Sequence, residues 1–291
     1  MESESFVFSA EIWIYFAGLK ANHPGRVPMI VFLHIPKTAG STFQFILENN
    51  FGVSACHSGH TKQRVFRQDD FVFARKFFPF MKSLAGHNLV DPLALDIPGA
   101  FHMTFLREPV ARVFSHYQDS VQSGGNRLGF EENLRQNEYL ENLHVKLMAG
   151  ERNLDKAKRY LERCGFVGLT EKFNLSLHML GKLSPYPLNL HYKRRRTAPA
   201  NNIRQPLADD PRMVELAREY NQLDLALYDF AVKEIFPKFC ERTGFKPDDP
   251  VTSFEKYTSE WQWRYRLCHF YGLSLYRQFG KLRRRGKPGV G

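Results

Sequence analysis

Residues 29–35, MIVFLHI, form an unbroken apolar, β-rich run, the pattern of a strand covered on both faces. STFQFILENN (41–50) follows with Phe43, Ile46 and Leu47 at helical spacing, and Phe51-Gly52 closes it. FHMTFL (101–106) predicts a second buried strand, and its helix opens at Pro109, a residue suited to the first helical turn. Val110, Val113, Phe114 and Tyr117 give that helix one apolar face, and SGGN (123–126) stops it. Residues 130–148 and 153–163 read as amphipathic helices, GFVGL (165–169) as a short strand and 171–183 as a further helix. A polar, basic loop with Pro185, Pro187, Pro199 and Pro206 fills 184–208. DDP (209–211) caps a helix with Met213, Leu216, Ala217 and Tyr220 on one side, and the C-terminal third reads as helical and aromatic. Strands alternating with helices predict an α/β fold with a mainly parallel central sheet.

Composition narrows this only partly. The 291 residues, 43% of them hydrophobic, can build one large core or two small ones. Neither a repeat nor a long linker divides the chain. The expected layout is an N-terminal extension (1–28), a main domain (29–245) and a helical, basic C-terminal extension (246–291) packed on it. A net charge of +11 calls for an acidic partner: nucleotide, nucleic acid, anionic glycan or membrane surface. No motif of the nucleic-acid repertoire accompanies that charge, so no specific nucleic-acid partner is expected. The tail KLRRRGK suits contact with an anionic surface. No apolar run reaches the roughly 18 residues of a spanning helix. FVFSAEIWIYFAGL near the start is broken by Glu11 and has no basic leader, so it reads as a packing segment. The expected setting is cytoplasmic, with a peripheral membrane contact left open. Cys56, Cys164, Cys240 and Cys268 are scattered and make no CxxC pair, which fits reduced thiols rather than a zinc site. Without HExxH or carboxylate clusters, no metal is expected.

The chemistry concentrates in HIPKTAGSTF (34–43). A loop that leaves a parallel strand and enters a helix aims backbone N–H groups at one point, where the helix dipole adds positive potential. Ala39 and Gly40 allow close approach of a ligand, Thr38, Ser41 and Thr42 offer hydroxyls, and Lys37 offers a mobile charge. The common nucleotide loop, GxxxxGK[ST], puts its lysine after the last glycine. Here Lys37 precedes Gly40 and no first glycine exists, which favours a phosphate donor other than ATP.

HIPKTAGST resembles the 5′-phosphosulfate loop of sulfotransferases that use 3′-phosphoadenosine-5′-phosphosulfate (PAPS). TFLREPVARVFSHY (104–117) is similar to the 3′-phosphate motif of the same family, and FVGLTEKFNLSLHML (166–180) and EYNQLDLALYDFA (219–231) resemble its heparan sulfate 2-O-sulfotransferase branch, which has bacterial relatives. The resemblance implies a P-loop-like three-layer fold, with a helical C-terminal part. It implies PAPS as a consumed cosubstrate, 3′,5′-ADP (PAP) as product, and a glycan or glycolipid hydroxyl as acceptor. Pro36, Lys37, Thr38, Ala39, Gly40, Ser41 and Thr42 would hold the 5′-phosphate, and Arg107 with Ser115 the 3′-phosphate. Arg196 and Thr197, in HYKRRRTAPANN (191–202), resemble the Arg-Lys-Thr of the family's donor-covering loop.

Sulfuryl transfer needs a group that stabilises charge on the leaving phosphate oxygen, a base for the acceptor proton and fixed geometry. Lys37 is the candidate for the first role. His87, in LAGHNL (84–89), is the candidate base, since imidazole titrates near neutrality. The heparan sulfate enzyme has His-Gly-His where this chain has Ala85-Gly86-His87, so one histidine is missing. His57 and His60 are rival bases, and Glu108 reads as a helix cap. Two other functions stay open at the level of sequence: a P-loop-type small-molecule kinase, and a catalytically silent polyanion-binding protein of the same fold.

Overall fold

In the computed structural model the described residues are 27–61, 65–193, 202–256, 266–267 and 270–271. Five strands, Ile30–Leu33 (β1), Ala55–His57 (β2), Ser83–Gly86 (β3), Phe101–Leu106 (β4) and Phe166–Leu169 (β5), form one sheet in the order β2-β3-β1-β4-β5. All four pairings are parallel. The fold is thus α/β, with helices around an all-parallel sheet and a helical part after β5. β1 is central, and each of its four residues is fully buried, which is why its sequence carries no polar alternation. Phe32 meets Phe43 and Phe105 edge-on, at 4.9 and 6.3 Å between ring centroids, and so joins the sheet to the helix that follows.

The helices begin with Gly40–Phe51 (α1), Gln68–Phe77 (α2) and Pro109–Gln122 (α3), of which α1 and α3 line a cavity. Next come Phe130–Gln136 (α4), Leu143–Ala149 (α5), Leu154–Arg163 (α6) and Phe173–Leu183 (α7). Arg204–Asp209 (α8), Pro211–Glu219 (α9), Gln222–Phe230 (α10) and Phe236–Thr243 (α11) follow, with a π-helical turn at Ala231–Ile235 between the last two. The chain leaves β1 toward β2 on one side of the sheet and later crosses β1 to reach β4 on the other. Ligands of open parallel sheets bind beyond the carboxyl ends of the strands at such a reversal.

Several expectations need correction. The helix expected over 130–148 is two helices, α4 and α5, separated by a 3-10 turn at Glu138–Leu140. The break is chemical. Asn142 sits at φ 41°, and its side-chain oxygen accepts from Leu223 N and Asp224 N. Asn221 returns the contact to Asn142 N and Leu140 O, while Asp224 accepts His144 N and Val145 N at 2.9 Å each. This buried polar net fastens the start of α5 to α10. The loop expected over 184–208 ends early, because α8 begins at Arg204 with Pro206 in its first turn. Residues 246–256 run without helix, joined to the chain before them by the Tyr192–Glu255 bridge. Strands β2 and β3 were not legible from apolar runs. Cys56, Cys164 and Cys240 are free and buried, and Cys268 lies outside the described residues. Among the described residues no helix is long and apolar enough to cross a membrane.

Two buried histidines make stability depend on acidity. Burial lowers the pKa of His102 on β4 to about 4, and that of His144 on α5 to about 4. For His144, the Arg112 charge adds to the effect and Asp224 opposes it. Its ring therefore stays neutral, and the 3.7 Å approach to Asp224 is not an ion pair. An unfolded histidine titrates near 6.5, so between that value and 4 the unfolded chain binds more protons than the folded one. Stability is complete above this window and is lost as pH falls through it, by about 3 kcal/mol for a fully buried group. Urea unfolding followed from pH 7 to pH 4 should show this loss, and His144→Gln should flatten its slope. A stability independent of pH across that range would refute the assignment.

Candidate active site

The turn between β1 and α1 is bent against its own preference. Lys37 has φ 70° and Ala39 has φ 60°, each costing a non-glycine residue about 1–2 kcal/mol. Two hydrogen bonds hold the bend. The Thr38 hydroxyl, fully buried, donates to Ile35 O at 2.9 Å, and Arg107 Nη1 donates to Lys37 O at 3.1 Å. Ala39 caps α1 with no side-chain hydrogen bond, and the first turn holds no acidic residue. The positive end of α1 is thus presented to the space above the sheet with no carboxylate of its own turn against it. Gly40 is required for a different reason from close ligand approach: a Cβ there would overlap the His34 ring.

That space is a cavity of about 890 Å³. His34, Pro36, Lys37, Ala39, Gly40, Ser41 and Thr42 line it from β1 and α1, and His87 from the end of β3. Arg107 enters from the end of β4, and Ser115, Gln118 and Asp119 from one face of α3. Beyond β5, Thr170, Glu171, Lys172 and Phe173 continue the wall, joined by Tyr192, Arg204, Asp248 and Asp249. Register explains the convergence. Leu33 pairs with Gly86 and Thr104, so the residues after β1, β3 and β4 emerge side by side.

Of the residues expected from sequence, Pro36, Lys37, Ala39, Gly40, Ser41, Thr42, His87, Arg107 and Ser115 meet in this one cavity. Thr38 does not line it; its hydroxyl is spent inside the turn. Arg196 and Thr197 lie outside the described residues. His57 ends β2 and does not line the cavity, and nothing is described of the His60 side chain. Glu108 caps α3, accepting from Val110 N and Ala111 N at 3.1 and 2.6 Å.

Lys37 Nζ lies 3.2 Å from Asp119 Oδ1, a half-exposed carboxylate one turn beyond Ser115. Arg107 keeps further N–H donors after its bond to the turn, since a guanidinium has five. Burial lowers the pKa of Arg107, and Arg204 lowers it further, while Glu171 and Glu108 oppose the shift. Two cations that act on each other in a partly buried place favour an anion beside them. Arg204 is set by its own backbone N–H, which donates to Gln118 Oε1 at 2.9 Å. Glu171 fixes the far side: Oε1 accepts Glu108 N at 3.0 Å and Oε2 accepts the Tyr228 hydroxyl at 2.9 Å. His116 also lines the cavity, and burial with Arg112 and Lys37 nearby lowers its pKa to about 4, so it offers a neutral ring.

His87 Nδ1 is 2.7 Å from His34 O. A carbonyl only accepts, so Nδ1 carries the proton and Nε2 carries the lone pair of the neutral ring. Gly86 permits this corner, because a Cβ there would overlap the Ser58 hydroxyl, which bonds Asn88. Sequence reasoning missed Asp119, Arg204 and His34. Asp119 was findable at helical spacing from Ser115; Arg204 was hidden beside a more conspicuous basic run; His34 lay inside a quoted motif without a role. Among the described residues no group of three His, Cys, Asp or Glu is placed to hold a metal ion.

The different duties of Lys37 and Thr38 can be separated. Thr38→Val strands the Ile35 carbonyl and should cost about 1–2 kcal/mol in chemical denaturation. Lys37→Ala breaks only a solvent-screened pair and should cost less than about 1 kcal/mol. Equal losses would contradict this division.

No family model matches the chain, and no curated protein matches it significantly. Among solved structures it is similar to a sulfotransferase from Alicyclobacillus acidocaldarius, at 15% identity over 82% of this chain and 100% of that one, with a TM-score of 0.39.

Proposed function

We propose that the chain transfers the sulfuryl group of PAPS to a hydroxyl of a carbohydrate or glycoconjugate. The observation that carries this reading is the convergence of Lys37, His87, Arg107 and Ser115, from four separate segments, on one cavity at the carboxyl ends of the strands. The bent turn and the uncapped start of α1 suit a 5′-phosphate. Arg107 and Ser115, with Arg204 beside them, suit a 3′-phosphate, the group that tells this donor from ordinary adenosine nucleotides. Phe173 and Tyr192, packed edge-on at 5.3 Å, add an apolar stretch to the cavity wall that suits the carbon skeleton of an acceptor.

In the reaction, an acceptor oxygen forms a bond to sulfur as the bond from sulfur to the 5′-phosphate oxygen breaks. His87 Nε2 takes the proton of the acceptor hydroxyl. Lys37 leaves Asp119 and meets the charge that gathers on the departing phosphate oxygen. The products are a sulfate ester, PAP and a proton held on His87. Asp119 would serve as the resting partner of the lysine.

Calorimetric titration tests the donor. The protein should bind adenosine 3′,5′-bisphosphate at least tenfold more tightly than 5′-AMP, and Arg107→Ala should erase the difference, as loss of a charge-assisted contact of about 1.5–3 kcal/mol requires. Transfer of label from [35S]PAPS to an acceptor panel should fall about 10²–10⁴-fold in His87→Ala. Equal affinity for the two nucleotides, or magnesium-dependent ATP turnover in place of sulfate transfer, would discard the reading.

A further inference from the structure

His34 lines the same cavity as His87 yet takes no part in the transfer step above. Its ring lies against that of His87, with centroids 3.8 Å apart and planes 40° apart. Behind it runs a directed chain of hydrogen bonds. Glu48 accepts from Gln44 Nε2 at 2.7 Å, so Gln44 turns its carbonyl oxygen to His34, 3.2 Å from Nδ1, and Nδ1 donates. Gln44 and Glu48 sit one turn apart on α1. His34 is 2% exposed and Glu48 7%, so solvent does not substitute for these bonds. His87, by contrast, is exposed. Its bond to the His34 carbonyl, worth about 1 kcal/mol net, anchors the ring at Nδ1. A ring contact adds about 0.5–1.5 kcal/mol, but only if the partner ring is itself fixed.

We propose that His34 is a positioning residue. The Glu48–Gln44 chain and the bare Cα of Gly40 fix its imidazole, which in turn holds His87 in the orientation that binds the carbonyl through Nδ1 and leaves the lone pair on Nε2. The second histidine of the site is thus supplied by the strand of the phosphate turn and not by the segment around His87. This inference rests on His87 as the base of the proposed function.

The test uses the full chain as wild type, Gln44→Leu and His34→Leu. Side-chain ¹⁵N spectra at pH 8 report the His87 tautomer without any need for activity. Wild type should show one tautomer, protonated at Nδ1, and both variants a mixture. Binding of adenosine 3′,5′-bisphosphate should be unchanged, while kcat falls roughly tenfold with little change in donor KM. Gln44 is half-buried, so Gln44→Leu carries the test if His34→Leu does not fold. An unaltered His87 spectrum in folded Gln44→Leu overturns the inference even where the nucleotide binds. A changed spectrum in a chain that binds no bisphosphate upholds the coupling of the two rings and overturns the sulfotransferase reading instead.

Discussion

Between β1 and α1 the backbone turns twice through left-handed conformations, at Lys37 and Ala39, and two donors keep it there: the Thr38 hydroxyl on Ile35 O and the Arg107 guanidinium on Lys37 O. The rest of the site follows from this constraint. The bend directs the start of α1 toward the cavity with no side-chain cap hydrogen bond, places Lys37 in the cavity wall and exposes the His34 carbonyl to His87. Arg107 has a double duty. It braces the turn from β4 and belongs to the cavity wall, so any group that engages Arg107 also acts on the shape of the turn. Such preorganisation lowers the reorganisation needed when charge moves in a reaction.

The electrostatics of the cavity are less simple than a net charge of +11 suggests. Lys37, Arg107, Lys172 and Arg204 line it, but so do Asp119, Glu171, Asp248 and Asp249. The acids have local uses: Asp119 pairs with Lys37, Asp248 with Lys172 at 2.7 Å, and Glu171 ties the end of β4 to α10. An anion entering this space displaces a carboxylate partner at Lys37 or Lys172 and adds to the guanidinium charges of Arg107 and Arg204. That arrangement favours ligands with two separated anionic groups over those with one, because a single phosphate recovers only part of what is displaced.

Much of this was legible in the sequence, for definite reasons. MIVFLHI and FHMTFL are central strands covered on both faces, and an unbroken apolar run is their signature. Lys37 and Gly40 stood out in the loop that follows such a run, and Arg107 and Ser115 stood out because TFLREPVARVFSHY resembles a sulfotransferase motif. β2 and β3 escaped because they are three and four residues long and rich in small residues. The division between α4 and α5 escaped because its cause, Asn221 and Asp224, lies some eighty residues away along the chain. His34 and Arg204 escaped for the same kind of reason. What makes them part of the site is the ring contact of His34 with His87 and the charge of Arg204 acting on Arg107, both across separate segments of the chain, and spacing along a single element says nothing of it.

The central claim is that one bent turn and one guanidinium hold the two ends of a doubly phosphorylated adenosine. A crystal structure of the chain with adenosine 3′,5′-bisphosphate tests it most directly. The account predicts the 5′-phosphate against the backbone of residues 38–42, the 3′-phosphate between Arg107 and Ser115, and Lys37 Nζ moved from Asp119 to the 5′-phosphate. Nucleotide bound outside this cavity, or within it with Lys37 still on Asp119 and Arg107 touching no phosphate, would contradict it.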